Sequence, residues 1–503
     1  MSSMRALLRV LLPLAAAALL GGCMVGPTYH GPPETAPTAR AAPVFRRASV
    51  APVTNAPALA TWWTALDDAT LDRIEQDALA HSPTLEEAVA RIRQARARLR
   101  ERRADLLPSG GASAIYAHIG VPGSVNDALG NNNGTSGGTG NSTSQIPDNI
   151  DFYNVGLTAT WQIDLFGGVR RQIASARDTA QAYEADLQDA QVTLTMNVAT
   201  AYVNLRDAQG RLALAQANTE VQERMLALTK LRRAGGTATD SDVERVYTQL
   251  KQTQADVVPL QGQIEIYTDQ LSQLAGHEPG TLDALLATPA LLPLPPAQTP
   301  IGNPADLLRS RPDIRAAERR LAAANETIGA DIAQYFPTLT LFGTLGYGST
   351  RLSGLFDGGN LLKLAVPVLS WNFLNFPAVS AQVEGARGGF DLARATYRAT
   401  LLSALLDAEN ALSRFGHQRD NVASLADASA SATRSTQLAT IRYRGGTLSL
   451  IDALDTERQR INTQSSLAQA QAAFTTDWIG LQSSLGLGWS APGPTRLVPG
   501  RDR

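Results

Sequence analysis

The sequence predicts a mainly α protein with a transmembrane β part, built by internal duplication: two strand pairs, each joined to a very long antiparallel helical hairpin of coiled-coil type. Three observations predict it. First, the chain matches itself. Shifted by 210 positions without a gap, Trp161 falls on Trp371, Phe166 on Phe376, Gly235-Gly236-Thr237 on Gly445-Gly446-Thr447 and Gly276 on Gly486. Upstream the match continues at an offset of 229, with Ser82-Pro83 on Arg311-Pro312 and Pro108 on Pro337. A unit of roughly 200 residues is far longer than the roughly 20–50 of solenoid repeats, so one half builds again what the other builds. Second, residues 153–165 alternate strictly between apolar and polar or small side chains. Third, the stretch from Val169 to Arg233 contains no proline and a single glycine.

Taken along the chain, residues 1–22 read as a signal peptide. Arg5 and Arg9 precede an apolar run from Val10 to Leu20, followed by small residues. That run is too short for the roughly 20 residues that span a bilayer. Cys23 is the only cysteine of 503 residues, which excludes an internal disulfide. It closes the lipobox Leu20-Gly21-Gly22-Cys23 and is read as the acylated first residue of the mature chain, its covalent lipid being the only prosthetic group expected. Met24 follows, and in bacterial lipoproteins a residue other than Asp there usually permits outer-membrane sorting. Residues 23–60, rich in Pro and Ala and without periodicity, read as an extended lipidated arm.

The first repeat is assigned to 61–276. Helical signals begin near Leu71, and Ser82-Pro83 starts a fresh helix with an apolar face at Leu85, Ala88, Val89, Ile92, Ala95 and Leu99. Pro108 ends it. A weaker strand from Gly110 to Val121, with Ile115, Ala117, Ile119 and Val121 on one face, pairs with the alternating strand beginning at Tyr153. The Gly/Asn/Ser/Thr tract from Pro122 to Asn149 is an exposed loop, carries the 19-residue insertion implied by the two offsets, and contains two chance-level glycosylation sequons. The helix that follows covers about 65 residues, or about 95 Å at 1.5 Å per residue. Its seam Leu194, Val198, Ala201, Leu205, Ala208, Leu212, Ala215, Thr219, Gln222, Leu226 alternates steps of 4 and 3, a coiled-coil heptad. A Gly-Gly turn ends it. Thr239-x-x-Asp242 restarts a returning helix with a capping-box pattern, and that helix runs to Gly276.

Residues 277–303 form a Pro-rich connector. The second repeat, 304–486, repeats the layout: a strand through Leu339, Leu341, Gly343, Leu345 and Tyr347, and a poorer one around Leu362 to Asn372 that contains Pro367. A long helix from about Val379 to Arg444 has a less regular seam, and a restart at Ser449-x-x-Asp452 follows. Residues 487–503 are a tail.

Four amphipathic strands cannot sit alone in hydrocarbon, because open edges leave backbone groups unsatisfied. Closure needs other copies: eight strands from a dimer, twelve from a trimer, sixteen from a tetramer. A net charge of −2 gives no reason to expect nucleic acid. The five histidines are scattered without ligand spacing, no phosphate-binding glycine loop follows a strand, and neither catalytic nor metal residues are assigned.

Four motifs add a resemblance. Cys23-Met24-Val25-Gly26-Pro27-Thr28-Tyr29, Trp63-Thr64-Ala65-Leu66-Asp67-Asp68 with Leu71, Leu307-Leu308-Arg309-Ser310-Arg311-Pro312-Asp313-Ile314 before Ala317-Glu318, and Arg442-Tyr443-Arg444-Gly445-Gly446-Thr447 with Asp452-Ala453-Leu454-Asp455 resemble those of the outer-membrane efflux lipoproteins of the TolC/OprM type, NodT-like members included. The resemblance implies a homotrimer with a twelve-stranded outer-membrane barrel on a twelve-helix periplasmic tunnel. It implies a periplasmic adaptor and an inner-membrane pump, usually of the resistance-nodulation-division class, as partners. It places adaptor-contacting tips at Arg232, Gly235, Gly236, Arg442, Gly445 and Gly446, and a periplasmic gate at Asp452 and Asp455. By spacing, those two carboxylates share a helix face, and repetition around a pore would give acidic rings of the kind that favour cations. Asp452 is equally a helix-capping acid, whereas Asp455 is not explained by capping. The expected activity is passive conduction of small toxic molecules. The alternatives are the conduit of a type I protein-secretion system and a structural coiled-coil lipoprotein.

Overall fold

The structure, a computed structural model, describes residues 24–56, 59–120 and 149–489. Cys23, the signal segment, the tail beyond Trp489 and most of the loop around Asn131 lie outside the described residues. In chain order the principal elements are α1 (Ala69–His81), α2 (Pro83–Ala104), β1 (Ser109–Gly120), β2 (Asn149–Ile163), α3 (Gly168–Ala234), α4 (Asp240–Ala255) and α5 (Val257–Leu274). The second copy supplies α6 (Pro304–Ser310), α7 (Pro312–Ile332), β3 (Thr338–Ser349), β4 (Leu361–Ser370), α8 (Phe376–Arg444) and α9 (Leu450–Ser484). β1 shifted by 229 coincides with β3 at both ends, and the start of α4 and end of α5 shifted by 210 coincide with those of α9.

The chain divides into two compact units. The first comprises the described parts of Met1–Gly31, with Ala95–Ala180 and Leu321–Leu392. Its centre is a four-stranded sheet in sequence order, antiparallel throughout, in which β2 of the first copy pairs with β3 of the second. Tyr153, Val155 and Leu157 lie opposite Tyr116, Ala114 and Ala112 on one side, and Val155 and Leu157 opposite Tyr347 and Leu345 on the other. That face is apolar and exposed, with Leu157 at 58% and Leu345 at 49%. The opposite face of β2 and β3 carries Asn154, Thr158, Thr160, Thr344 and Thr340. In β1, Ile115 and Ala117 do share one face: Ile115 pairs with Asn154 and Ala117 with Phe152, which places them on the side of the sheet that carries Thr158 and Thr160. Hydrogen-bond register, dictated by the stronger strand β2, decides the side, and a one-residue offset in reading flips every side chain. Pro367 lies opposite Leu341 in β4, the outermost of the described strands on that side.

The second unit comprises Pro32–Gln94, Gln181–Arg320 and the described part of Ala393–Arg503. The heptad seam read in α3 is buried at Leu194, Val198, Ala201, Leu205 and Ala208. Its shifted counterpart in α8 is buried too, at Ala404, Ala408, Ala411 and Phe415, with Leu401 one step before them. Regularity there was hidden by exposed neighbours such as Leu402 and Leu406. The arm is not simply extended: Val53–Thr54 pairs in parallel with Thr299–Pro300 of the connector, Phe45 is buried, and Glu409 accepts hydrogen bonds from the Arg46 and Arg47 amides. Connector and α9 are tied by Thr475 Oγ1 donating to Pro293 O and Trp478 Nε1 donating to Thr299 Oγ1. Trp478 also packs edge-on against Trp62 at 5.5 Å.

The returning helix of the first copy is broken, whereas α9 is continuous for 35 residues. Pro259 explains the break, since its ring excludes the carbonyl four residues earlier, that of Ala255, where α4 ends. The position in α9 that matches Pro259 is Gln469.

Candidate functional site: the hairpin tips and the N-terminal anchor

Both hairpin tips are built by the same hydrogen bonds. At the first, Gly236 N donates to Arg233 O and Thr237 N to Arg232 O; at the second, Gly446 N donates to Tyr443 O and Thr447 N to Arg442 O. These are Schellman caps, and they need a left-handed residue: Gly236 has φ of 73° and Gly446 of 74°. The returning helices start on their expected caps. Thr239 and Asp242 form the full reciprocal box, which holds the Asp242 carboxyl below its usual range through the Thr239 amide and hydroxyl, with Arg245 and Arg232 adding to it. Ser449 Oγ accepts from Asp452 N at 3.1 Å and donates to the Asp452 carboxylate at 2.8 Å.

The tips pack on each other through buried Leu226, Val246, Leu250, Tyr443, Leu450 and Ala453. Arg232 lies over the Tyr443 ring, 4.6 Å from its centroid, so its guanidinium joins the two hairpins and is partly buried. Arg442, Gly235, Gly236, Gly445 and Gly446 are exposed. Asp452 and Asp455 are exposed on successive turns of one face, and Asp455 accepts a hydrogen bond from Arg458 at 2.5 Å. Arg245, which the 210 shift places on Asp455, is also exposed.

In the first unit the residues immediately after Cys23 are held firmly, by contacts that reading the sequence missed. Val25 N donates to Phe166 O. Arg171 donates from Nε to Val25 O at 3.1 Å and from Nη2 to Gly26 O at 3.2 Å, while Nη1 pairs with Glu326 at 2.7 Å. Both charges are buried, with side-chain exposures of 3% and 10%. Asn325 Nδ2 donates to Pro27 O. Gly26 sits against Gly329 so closely that a Cβ on it would lie 2.6 Å from the Gly329 Cα.

The same unit carries a duplicated aromatic cluster. Trp161 Nε1 donates to Leu106 O at 2.9 Å and Trp371 Nε1 to Tyr335 O at 3.0 Å. The two tryptophans are 210 apart and their acceptors 229 apart, so the repeat preserves a hydrogen bond as well as a residue. Phe166 stacks on Phe336 at 4.6 Å, and Tyr335 meets Phe376 edge-on.

Among the described residues no group of acids, histidines or cysteine could hold a metal ion, and no helix is long and apolar enough to cross a membrane.

The model of the family described as outer membrane efflux protein matches residues 74–277 and again 303–487. The chain belongs to the outer membrane efflux protein family. The starts of the two matched stretches differ by 229 and their ends by 210, the offsets of the self-match. Nodulation protein T of Rhizobium leguminosarum bv. trifolii is 28% identical over 94% of this chain and 96% of its own length. The solvent efflux pump outer membrane protein SrpC of Pseudomonas putida is 28% identical over 95% of this chain and 98% of its own. Among solved structures, the outer-membrane channel OprN superposes with a TM-score of 0.83 at 32% identity, covering 92% of this chain and 99% of that one. As a member of this family the chain is an outer-membrane efflux protein and not an enzyme.

Proposed function

We propose that three copies of the chain close a twelve-stranded barrel in the outer membrane above a periplasmic tunnel of long helices, and that this conduit passively releases small toxic molecules. One observation carries the reading: a four-stranded antiparallel sheet whose strands β2 and β3 expose an apolar face and whose outermost strands, β1 and β4, have no further partner strand among the described residues. Such edges are untenable in hydrocarbon until other copies complete the ladder. The aromatic cluster at Trp161 and Trp371 supports it, since barrels in bilayers carry aromatic girdles at the interface. Acylation at Cys23 supplies a lipid anchor, and the Arg171 clamp fixes the chain directly behind it.

The tips serve as gate and docking point in this reading. Asp452 and Asp455 from three copies form acidic rings at the narrowest part of the tunnel, favouring cations. Arg232, Arg442 and the Gly-Gly turns meet a periplasmic adaptor, which couples the conduit to an inner-membrane pump. The solvent efflux role in the printed name of the relative from Pseudomonas putida favours organic solvents among the cargo. The test is deletion of the gene followed by a susceptibility profile across antibiotics, dyes and organic solvents, with complementation. Raised susceptibility restored by the wild-type chain supports the reading. An unchanged profile together with loss of a secreted protein would replace it with a type I secretion conduit.

A further inference from the structure

The duplication makes one contact inside the chain a template for a contact the chain leaves open. α7 packs antiparallel on α3: Arg171 pairs with Glu326, Ser175 Oγ lies 3.4 Å from Thr327 Oγ1, and Arg315 donates to Gln188 at 2.8 Å. Shifting α7 back by 229 gives α2, and shifting α3 forward by 210 gives α8. The counterparts of these contacting residues are exposed: Ala97, Arg98 and Glu86 on α2, and Ala381, Gly385 and Arg398 on α8; so are Arg100 and Glu384, the counterparts of Gly329 and Ala174. Leu402, 48% exposed, is the counterpart of Val192, which is buried.

The exchanged side chains are complementary in size. In the chain a large Arg171 on α3 faces Gly329 on α7, where an added Cβ would come within 2.7 Å of the Arg171 Nε. At the open contact the large residue moves to the other helix, with Arg100 on α2 and Ala381 on α8. Likewise Thr327 and Ser175 become Arg98 and Gly385, and a Cβ at Gly385 meets nothing within 4 Å. Charge is exchanged in the same sense. Arg171 and Glu326 themselves become Ala381 and Ala97, and charges of exchanged sign appear beside them: Arg98 and Arg100 on α2, and Glu384 on α8, whose own counterpart in α3 is Ala174. Arg315 opposite Gln188 becomes Glu86 opposite Arg398.

We infer that α2 of one copy packs on α8 of the next in the geometry of α7 on α3, with Glu86 opposite Arg398, and Arg98 and Arg100 beside Glu384. This joint rests on the oligomeric reading proposed above and specifies its seam. Because the partner charges lie on different helices from those of the internal joint, the seam also distinguishes neighbour from self.

Paired cysteines test it in the full-length protein in its native membrane. Ser175→Cys with Thr327→Cys, at the internal joint, closes a disulfide within one chain and leaves monomer mobility on a non-reducing gel. Arg98→Cys with Gly385→Cys links chains, so the monomer band is lost to covalent oligomers, while either single variant stays monomeric. In parallel, Glu86→Arg and Arg398→Glu each weaken the oligomer against detergent and heat, and the two together restore it. A conducting wild-type oligomer in which Arg98→Cys with Gly385→Cys stays unlinked and the charge exchange gives no rescue overturns the seam alone. A wild-type chain that is monomeric and non-conducting overturns the oligomeric reading, and the seam with it.

Discussion

Arg171→Met removes one half of a buried ion pair and two hydrogen bonds to Val25 and Gly26, just after Cys23. Glu326, only 10% exposed, loses its counter-ion. Stranding a buried charge in this way costs about 3–5 kcal/mol. At a factor of ten per 1.4 kcal/mol, local opening of the arm becomes roughly two to three and a half orders of magnitude more frequent. Adding Glu326→Leu removes the stranded charge but leaves Val25 O and Gly26 O without their donor, so the double variant should recover part of the loss and remain about 1–3 kcal/mol short. The assay is hydrogen exchange at the Val25 amide, which donates to Phe166 O in the closed arm. Unchanged protection in Arg171→Met, or a double variant as unprotected as the single, would refute the reasoning.

Four further outcomes are expected. Gly236→Ala and Gly446→Ala, at φ near +73°, should each cost about 1–2 kcal/mol of tip stability with no steric component, whereas Gly235→Ala and Gly445→Ala, which lack positive φ, should be nearly neutral; protease sensitivity of the tips separates the pairs. Trp161→Phe should cost about 1 kcal/mol through loss of the bond to Leu106 O, and Trp371→Phe less because that side chain is 54% exposed, as read from resistance of the folded oligomer to heat in detergent. Burial, with Asp72 adding to it, pushes the Glu75 carboxyl well above the usual range. The folded state then holds that proton more tightly, so stability is present below about pH 4.3 and declines as pH rises towards the folded value, by at most about 1.4 kcal/mol per pH unit; in Glu75→Gln, urea unfolding should lose this part of the slope and become relatively more stable at neutral pH. Asp452→Ala should loosen the start of α9 by about 1 kcal/mol, while Asp455→Asn, at an exposed ion pair, should leave stability within about 0.5 kcal/mol and lower the preference for cations.

The long helices were legible because sixty-odd residues without proline and a seam at Leu194, Val198, Ala201 and Leu205 admit few other structures. The tips were legible because Gly-Gly followed by Thr-x-x-Asp or Ser-x-x-Asp states a C-cap and an N-cap in consecutive residues. β1 was harder: Ile115 and Ala117 suggested a face, yet only pairing with β2 decides which side they occupy. The anchor clamp was not legible at all, since Arg171 acquires its role from Glu326, 155 positions away. Its one signal was a mismatch between the copies, Arg171 against Ala381, and such mismatches are also what mark the open contact between α2 and α8.

The central claim is that the chain forms a gated aqueous conduit. The most direct test is single-channel recording of the purified, acylated wild-type protein in planar lipid bilayers beside Asp455→Asn. Discrete conductance steps with a cation preference, reduced in the variant at unchanged oligomeric state, are the result predicted. Bilayers that stay silent with a properly folded oligomer, or conductance and selectivity identical in the two proteins, would contradict the conduit and the gate respectively.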